Sequence, residues 1–178
     1  MRYLPNLLSA VRLALAPYIF WLMWHRQYGS VLGWFLFSGV TDGIDGWIAR
    51  RWKAQSKLGA MLDPIGDKLL LSGSFLTLAL DHAMEWWLAA LVLGRDALIL
   101  MFAAGALLFS RSVREFPPSW WGKASTVAQI CYIVVLVGHL GGFSPRFLVE
   151  IGKWCVIGFL AISSFDYARQ GWRMVQRS

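Results

Sequence analysis

The sequence predicts an all-α, polytopic membrane protein with six transmembrane helices, and three observations carry that prediction. Hydrophobic residues make up 57% of the 178 and charged residues only 15%, with a mean hydropathy of +0.52. That is more apolar than a soluble domain of this length requires. The apolar residues fall into six runs near the ~20 residues that cross ~30 Å of hydrocarbon. The net charge of +7 comes from bases at the ends of those runs, not from a contiguous block. Such bases suit anionic lipid headgroups and membrane orientation. No nucleic-acid partner is therefore expected.

The six spans are drawn at about Leu7–Trp24, Val31–Arg51, Leu58–Leu80, Trp86–Phe109, Trp121–Leu140 and Phe147–Tyr167. The opening segment, Pro5–Arg12, is amphipathic, with Asn6, Ser9 and Arg12 three residues apart. An N-terminal interfacial helix that turns into span 1 is expected there. No convincing cleavable signal peptide is seen: Arg12 interrupts the first apolar run, and a small-residue cleavage site is not evident. The connections are short, and residues 1–178 read as one domain. Cys131 and Cys155 lie in apolar runs without CxxC spacing, so they read as small core residues.

Basic residues orient the chain. Arg2, Arg12, Arg50, Arg51, Lys53, Lys57, Arg111, Arg114, Lys123, Arg169, Arg173 and Arg177 fall on one side, against Arg26, Arg146 and Lys153 on the other. The richer side is cytoplasmic by the positive-inside rule, which places both termini and the loop between spans 2 and 3 there. Trp86, Trp87, Trp120, Trp121, Trp154 and Trp172 stand at or near span ends as interfacial anchors. His25, His82 and His139 fall toward the opposite, non-cytoplasmic ends and read as interfacial.

Four acids break the apolar pattern: Asp42 and Asp45 in span 2, and Asp63 and Asp67 in span 3. An ionisable group at membrane depth costs roughly 2.5–3.5 kcal/mol on insertion scales, so it marks a functional site by default. At about 1.5 Å per residue, Asp42 lies about 13 Å in from the cytoplasmic end and Asp45 about 9 Å. On the returning span Asp63 lies about 8 Å in and Asp67 about 13 Å, so the depths match if spans 2 and 3 pack antiparallel. Spacings of three and four put each pair on one helix face. Converged carboxylates repel one another, and a divalent cation relieves this; oxygen ligands suit Mg²⁺ or Mn²⁺, with Ca²⁺ a competitor. Gly43, Gly46 and Ala49 keep one flank thin, while Arg50 and Lys68 stand ready for phosphate oxygens. Pro64 is expected to loosen the helix at the site. A purely structural Asp–Arg50–Lys68 salt-bridge network leaves four acids facing two bases.

At these residues the chain resembles the CDP-alcohol phosphotransferases, whose signature is D-x-x-D-G-x-x-A-R, eight residues, then G-x-x-x-D-x-x-x-D. Asp42, Asp45, Gly46, Ala49, Arg50, Gly59, Asp63 and Asp67 fill every fixed position with the spacing intact. The segments P-N-L-L-S-A-V-R at Pro5–Arg12 and G-K-A-S-T-V-A-Q at Gly122–Gln129 resemble the phosphatidylglycerophosphate synthase and cardiolipin synthase branch. The resemblance implies an integral membrane enzyme of phospholipid biosynthesis. It would move a phosphatidyl group from CDP-diacylglycerol to an alcohol and release CMP. It also implies a metal site of Asp42, Asp45 and Asp63, to which Asp67 contributes, holding Mg²⁺ or Mn²⁺ as two ions. Asp67 would be the base that takes the proton of the attacking hydroxyl. Gly46, Ala49, Arg50 and Gly59 would border the cytidine and pyrophosphate. A homodimer in the bacterial inner membrane is the accompanying expectation, with Gly152 and Gly158 as small-residue positions on span 6.

The acceptor is read from the remaining polar residues. Glycerol 3-phosphate needs a second anion pocket, and Arg111, Arg114 and Lys123 in one loop, with Lys68, would supply it. Arg95 and Asp96 sit deep in span 4, where they need partners and are expected to wall the acceptor site. Phosphatidylglycerophosphate synthases usually carry Arg-Glu here, and the Arg-Asp of this chain looks more like the cardiolipin synthases, which use phosphatidylglycerol. Glycerol 3-phosphate is taken as the acceptor and phosphatidylglycerol as the alternative. Two readings from other classes are an ion carrier and a non-catalytic scaffold. A carrier would be expected to place acids or broken helices in both halves of the chain, whereas here the four acids are confined to spans 2 and 3. A scaffold has no use for all four.

Overall fold

The structure is a computed structural model. It describes the backbone of residues 4–52, 57–109 and 120–175, and the side chains of 14–41, 66, 68–99, 101, 120–167 and 169. Six helices account for it: α1 Leu4–Trp24, α2 Tyr28–Trp52, α3 Lys57–Leu80, α4 Trp86–Phe109, α5 Trp120–Leu140 and α6 Arg146–Val175. No strand occurs among the described residues. The helix starts and ends follow the apolar runs closely, except that α6 continues past Tyr167 to Val175.

Two expectations need correction. Residues Leu4–Trp24 form one continuous helix, not an interfacial helix followed by a span. Pro5 falls in its first turn, where a missing N–H costs nothing, and no breaker separates it from the apolar run. Cys131 and Cys155 are exposed, not core. Small apolar residues are as much at home on an outer face that is itself apolar.

The helices form a ring by contact: α1 packs on α2, α2 on α5, α5 on α6, α6 on α4, α4 on α3, and α3 back on α1. Contact between α3 and α5 closes the middle. Ile19, Leu22, Phe75, Leu78, Leu88 and Tyr132 are among the side chains that fill the core. The α1–α3 crossing is close because Gly73 has no side chain: a Cβ there would run into the Phe20 ring.

Large apolar side chains also cover much of the outside among the described residues. Met101, Trp120, Phe143, Phe147, Trp154 and Phe165 are all more than 60% exposed, while Arg95, Asp96, Ser125, Gln129 and Ser163 are buried. A soluble surface does not carry apolar exposure on this scale. Helix α5 and residues Arg146–Tyr167 of α6 are long and apolar enough to cross a membrane. These features fit a chain whose outer face meets lipid.

One end of the bundle is built from three copies of the same turn. Helices α1, α3 and α5 each stop with a residue at positive φ: Arg26 at 55°, His82 at 56° and Gly142 at 81°. In each, the following N–H reaches back five residues: Gln27 to the Leu22 carbonyl (3.0 Å), Ala83 to Leu78 (2.9 Å), and Phe143 to Gly138 (2.7 Å). This is the Schellman cap, for which glycine is the residue of choice. Only Gly142 meets that preference. His82→Gly is expected to stabilise the fold by about 1 kcal/mol, the left-handed cost relieved less the added freedom of the unfolded chain. Thermal unfolding in detergent measures it, and an unchanged or lower midpoint would show that the His82 side chain contributes more than its conformation costs.

Ion pairs cross-link the same end. Arg26 donates to Asp81 Oδ1 (2.9 Å), and the Tyr28 hydroxyl donates to Asp81 Oδ2 (3.0 Å). Lys153 bridges Glu85 (3.0 Å) and Glu150 (2.8 Å). The hydrogen bond from Arg26 holds the Asp81 carboxyl below its usual range, and the bond from Lys153 does the same for Glu85. A depressed carboxyl stabilises the fold fully above the unfolded-state pKa, about 4 for these residues, and that contribution is lost as pH falls through the folded value. The unfolding midpoint is therefore expected to hold down to about pH 5 and then fall, more shallowly in Asp81→Asn. An identical acid profile in the variant would remove Asp81 from this role.

Candidate active site

Both halves of the aspartate motif lie on helical backbone. Asp42, Asp45, Gly46, Ala49 and Arg50 belong to the last three turns of α2. Gly59, Asp63 and Asp67 belong to the first half of α3, which stays helical across Pro64. The side chains of these residues lie outside the described ones, as do Arg111 and Arg114. Among the described residues no group of three or more His, Cys, Asp or Glu side chains gathers to hold a metal ion. The donor set that fits a divalent cation is the aspartate set: all oxygen, four carboxylates, at helical spacings of three and four.

The described part of the site begins one residue further along. Lys68 follows Asp67 on α3, and its ammonium lies 3.5 Å from Asp96 Oδ1 of α4. The same oxygen accepts a hydrogen bond from Arg95 Nη1 at 2.7 Å. Adjacent residues on a helix do not face each other, so the Arg95 side chain must fold back to make this bond. Its other end donates from Nη2 to Ser163 Oγ of α6 at 2.5 Å. Its guanidinium carbon lies 5.7 Å from the centre of the Tyr167 ring, one turn further along α6. Tyr167 in turn closes on α5 at Gly122, where a Cβ would stand 2.7 Å from the Tyr167 hydroxyl. One partly buried cluster thus ties α3, α4, α5 and α6 together beside the helical turn that carries Asp67.

Within that cluster Arg95 is 8% exposed and Asp96 6% exposed. A buried pair of this kind is tolerated only when its remaining hydrogen-bonding groups are satisfied. One is not: Arg95 Nε is buried with no partner. The cluster therefore holds one unsatisfied donor.

Lys68 and Arg95 both approach the same oxygen of Asp96. Lys123 stands apart from them. It lies on the outer face of α5, with its ammonium 5.7 Å from the centre of the Trp120 ring, while Gly122 turns inward to Tyr167. Ser163 and Tyr167 were not singled out from sequence. A signal existed: two polar groups four residues apart inside an apolar run share a helix face. Gly152 is used within the chain, since a Cβ there would lie 3.1 Å from the Tyr132 ring.

Comparison with known proteins agrees with the motif. The model of the CDP-alcohol phosphatidyltransferase family matches residues 2–163. A rat cardiolipin synthase (CMP-forming) is 29% identical over 97% of this chain and 63% of its own length. A Yersinia pestis CDP-diacylglycerol–glycerol-3-phosphate 3-phosphatidyltransferase is 30% identical over 95% of this chain and 94% of its own. A Mycobacterium tuberculosis protein with a provisional cardiolipin synthase name is 36% identical over 83% of this chain and 71% of its own. The chain thus spans less than two thirds of the rat enzyme but nearly all of the Yersinia one. The chain belongs to the CDP-alcohol phosphatidyltransferase family, in the branch that holds the phosphatidylglycerophosphate and cardiolipin synthases.

Proposed function

We propose that the chain transfers the phosphatidyl group of CDP-diacylglycerol to glycerol 3-phosphate, giving phosphatidylglycerophosphate and CMP. The observation that carries this reading is the complete eight-position motif on the helical backbone of α2 and α3. There Asp42, Asp45, Asp63 and Asp67 would hold Mg²⁺ or Mn²⁺ as two ions. When bound, these supply charge neutralisation of the pyrophosphate. Gly46, Ala49, Arg50 and Gly59 border the CDP moiety, with small residues giving it room and Arg50 a fork for its phosphates. The acceptor hydroxyl attacks the lipid-side phosphorus as Asp67 takes its proton. The bond from that phosphorus to the bridging oxygen breaks, and CMP leaves with the electron pair. Little covalent help is required of the protein, because such transfers depend on positioning and charge stabilisation.

The acceptor's phosphate lies toward Lys68 and Arg95. The unpartnered Nε of Arg95 and the Lys68 ammonium outnumber the one carboxylate between them, Asp96. Arg111 and Arg114 are proposed to complete this anion pocket from the loop after α4. All six helices cross the bilayer, with the motif end and both termini in the cytoplasm. That orientation is supported by Arg26, Arg146 and Lys153, the three bases of the poorer side, which all lie at the capped end of the bundle. A bacterial inner membrane and a homodimer complete the proposal.

A second reading has phosphatidylglycerol as the acceptor and cardiolipin as the product. The Arg95–Asp96 pair and the names of the rat and mycobacterial relatives favour it. Mass spectrometry of the lipid product separates the two. The protein is given CDP-diacylglycerol, Mg²⁺ and each acceptor in turn. Phosphatidylglycerophosphate from glycerol 3-phosphate is the expected product. Cardiolipin, formed only with phosphatidylglycerol, would replace the first reading by the second.

A further inference from the structure

We infer that Ser163 and Tyr167 of α6 are positioning residues for the acceptor: they fix the Arg95 guanidinium so that Nε is the nitrogen left open to it. This rests on the acceptor reading given above, and it holds for either acceptor.

The two residues stand four apart and so share a face of α6. Ser163 is fully buried. Hydroxyls inside helices commonly bond back to the carbonyl one turn earlier, as Ser74 does to Leu70 (2.7 Å) and Thr77 to Gly73 (2.8 Å). The Ser163 oxygen accepts a bond from another helix, from Arg95 Nη2. The Asp96 carboxylate takes Nη1 at 2.7 Å. A single bond would leave the guanidinium free to swing about it, whereas two bonds on different nitrogens fix its direction. The Tyr167 ring, 5.7 Å from the guanidinium carbon, restrains the remaining tilt. Tyr167 is itself seated because Gly122 leaves room for its hydroxyl.

What these contacts leave over decides the role. Among the described residues, Arg95 Nε is the buried side-chain atom without a partner. A buried donor left unmade costs stability. A cluster that served only to tie helices gains nothing from it, and an apolar pair of the same volume would join α4 to α6 as well. A donor held in place before its ligand arrives has a different use, because less freedom is then lost on binding. With both terminal nitrogens engaged, Nε suits one acceptor oxygen and not a bidentate grip.

Steady-state CMP release with CDP-diacylglycerol, Mg²⁺ and varied glycerol 3-phosphate tests this, with phosphatidylglycerol in its place if that is the acceptor used. Ser163→Ala removes one oxygen and little volume. It should raise the acceptor KM roughly tenfold, the lower end of the worth of a hydrogen bond to a charged group. The KM for CDP-diacylglycerol and the kcat should stay within about twofold. Tyr167→Leu, which removes the ring face, should raise the acceptor KM roughly threefold. The decisive readout is the pairing with Arg95→Lys, whose ammonium cannot hold both partners. In that background Ser163→Ala should change the acceptor KM no further, since a positioning residue acts only through the group it positions. Effects that multiply would make Ser163 independent of Arg95 and overturn the inference. So would an unchanged acceptor KM in Ser163→Ala, or a rise shared equally by the KM for CDP-diacylglycerol. Each of these results leaves the transfer reaction standing. Absence of CMP release from the unmodified protein with either acceptor would strike the reaction itself, and this inference with it. Should Tyr167→Leu fail to fold, the Ser163 variants decide alone.

Discussion

Asp67→Asn is expected to lower CMP release by about 10²–10⁴-fold, the usual contribution of a positioned general base. The substitution keeps the size of the side chain but removes its negative charge, and with it the proposed ability to take the acceptor's proton. Three carboxylates remain for the cations, and the residues that border CDP are untouched. Binding of CDP-diacylglycerol should therefore persist while turnover collapses, and the loss should fall on kcat. Single-turnover CMP release, set beside a separate binding titration, distinguishes the two. Normal turnover in the variant would mean that Asp67 is not the base. Loss of CDP-lipid binding along with turnover would make it chiefly a metal ligand.

Arg95→Ala carries the second large effect. Among the described residues it leaves the buried Asp96 carboxylate with the Lys68 ammonium at 3.5 Å and strips Ser163 of its partner on α4. Breaking a buried ion pair by removing one side costs about 3–5 kcal/mol, because the remaining charge stays buried. The unfolding midpoint should fall accordingly. Arg95→Lys is the informative companion. It keeps the charge and loses the fork that reaches Asp96 and Ser163 together. Its fold should survive, and its KM for glycerol 3-phosphate should rise more than its kcat falls. If Arg95→Lys loses stability but keeps wild-type KM, the cluster is a structural tie between α3, α4 and α6 and no part of the acceptor pocket.

The helices were legible in the sequence because the expectation of a bilayer sets one length for every span. Runs near twenty apolar residues could be marked off almost to the residue, as at Trp86–Phe109. The N-terminal segment misled because amphipathic spacing at Asn6, Ser9 and Arg12 does not say whether the helix stops. Cys131 and Cys155 misled because an apolar residue in a membrane helix faces protein or lipid with equal ease, and composition cannot choose. The buried cluster was half legible. Arg95 and Asp96 stood out as charges inside a span, whereas Ser163 and Tyr167 carry no charge and are named only by the helix they face. Which helices meet was not legible at all: the ring order depends on close approaches such as Gly73 to Phe20, which leave no periodic trace.

The central claim is that the aspartate motif cleaves the pyrophosphate of a CDP-lipid with a divalent cation in place. The most direct measurement is CMP release from CDP-diacylglycerol by the purified protein, with an acceptor present and Mg²⁺ or Mn²⁺ added or chelated. Release that needs both the acceptor and the cation, and disappears in Asp42→Asn, is the predicted result. Folded protein that releases no CMP with glycerol 3-phosphate or phosphatidylglycerol at any cation concentration would contradict it.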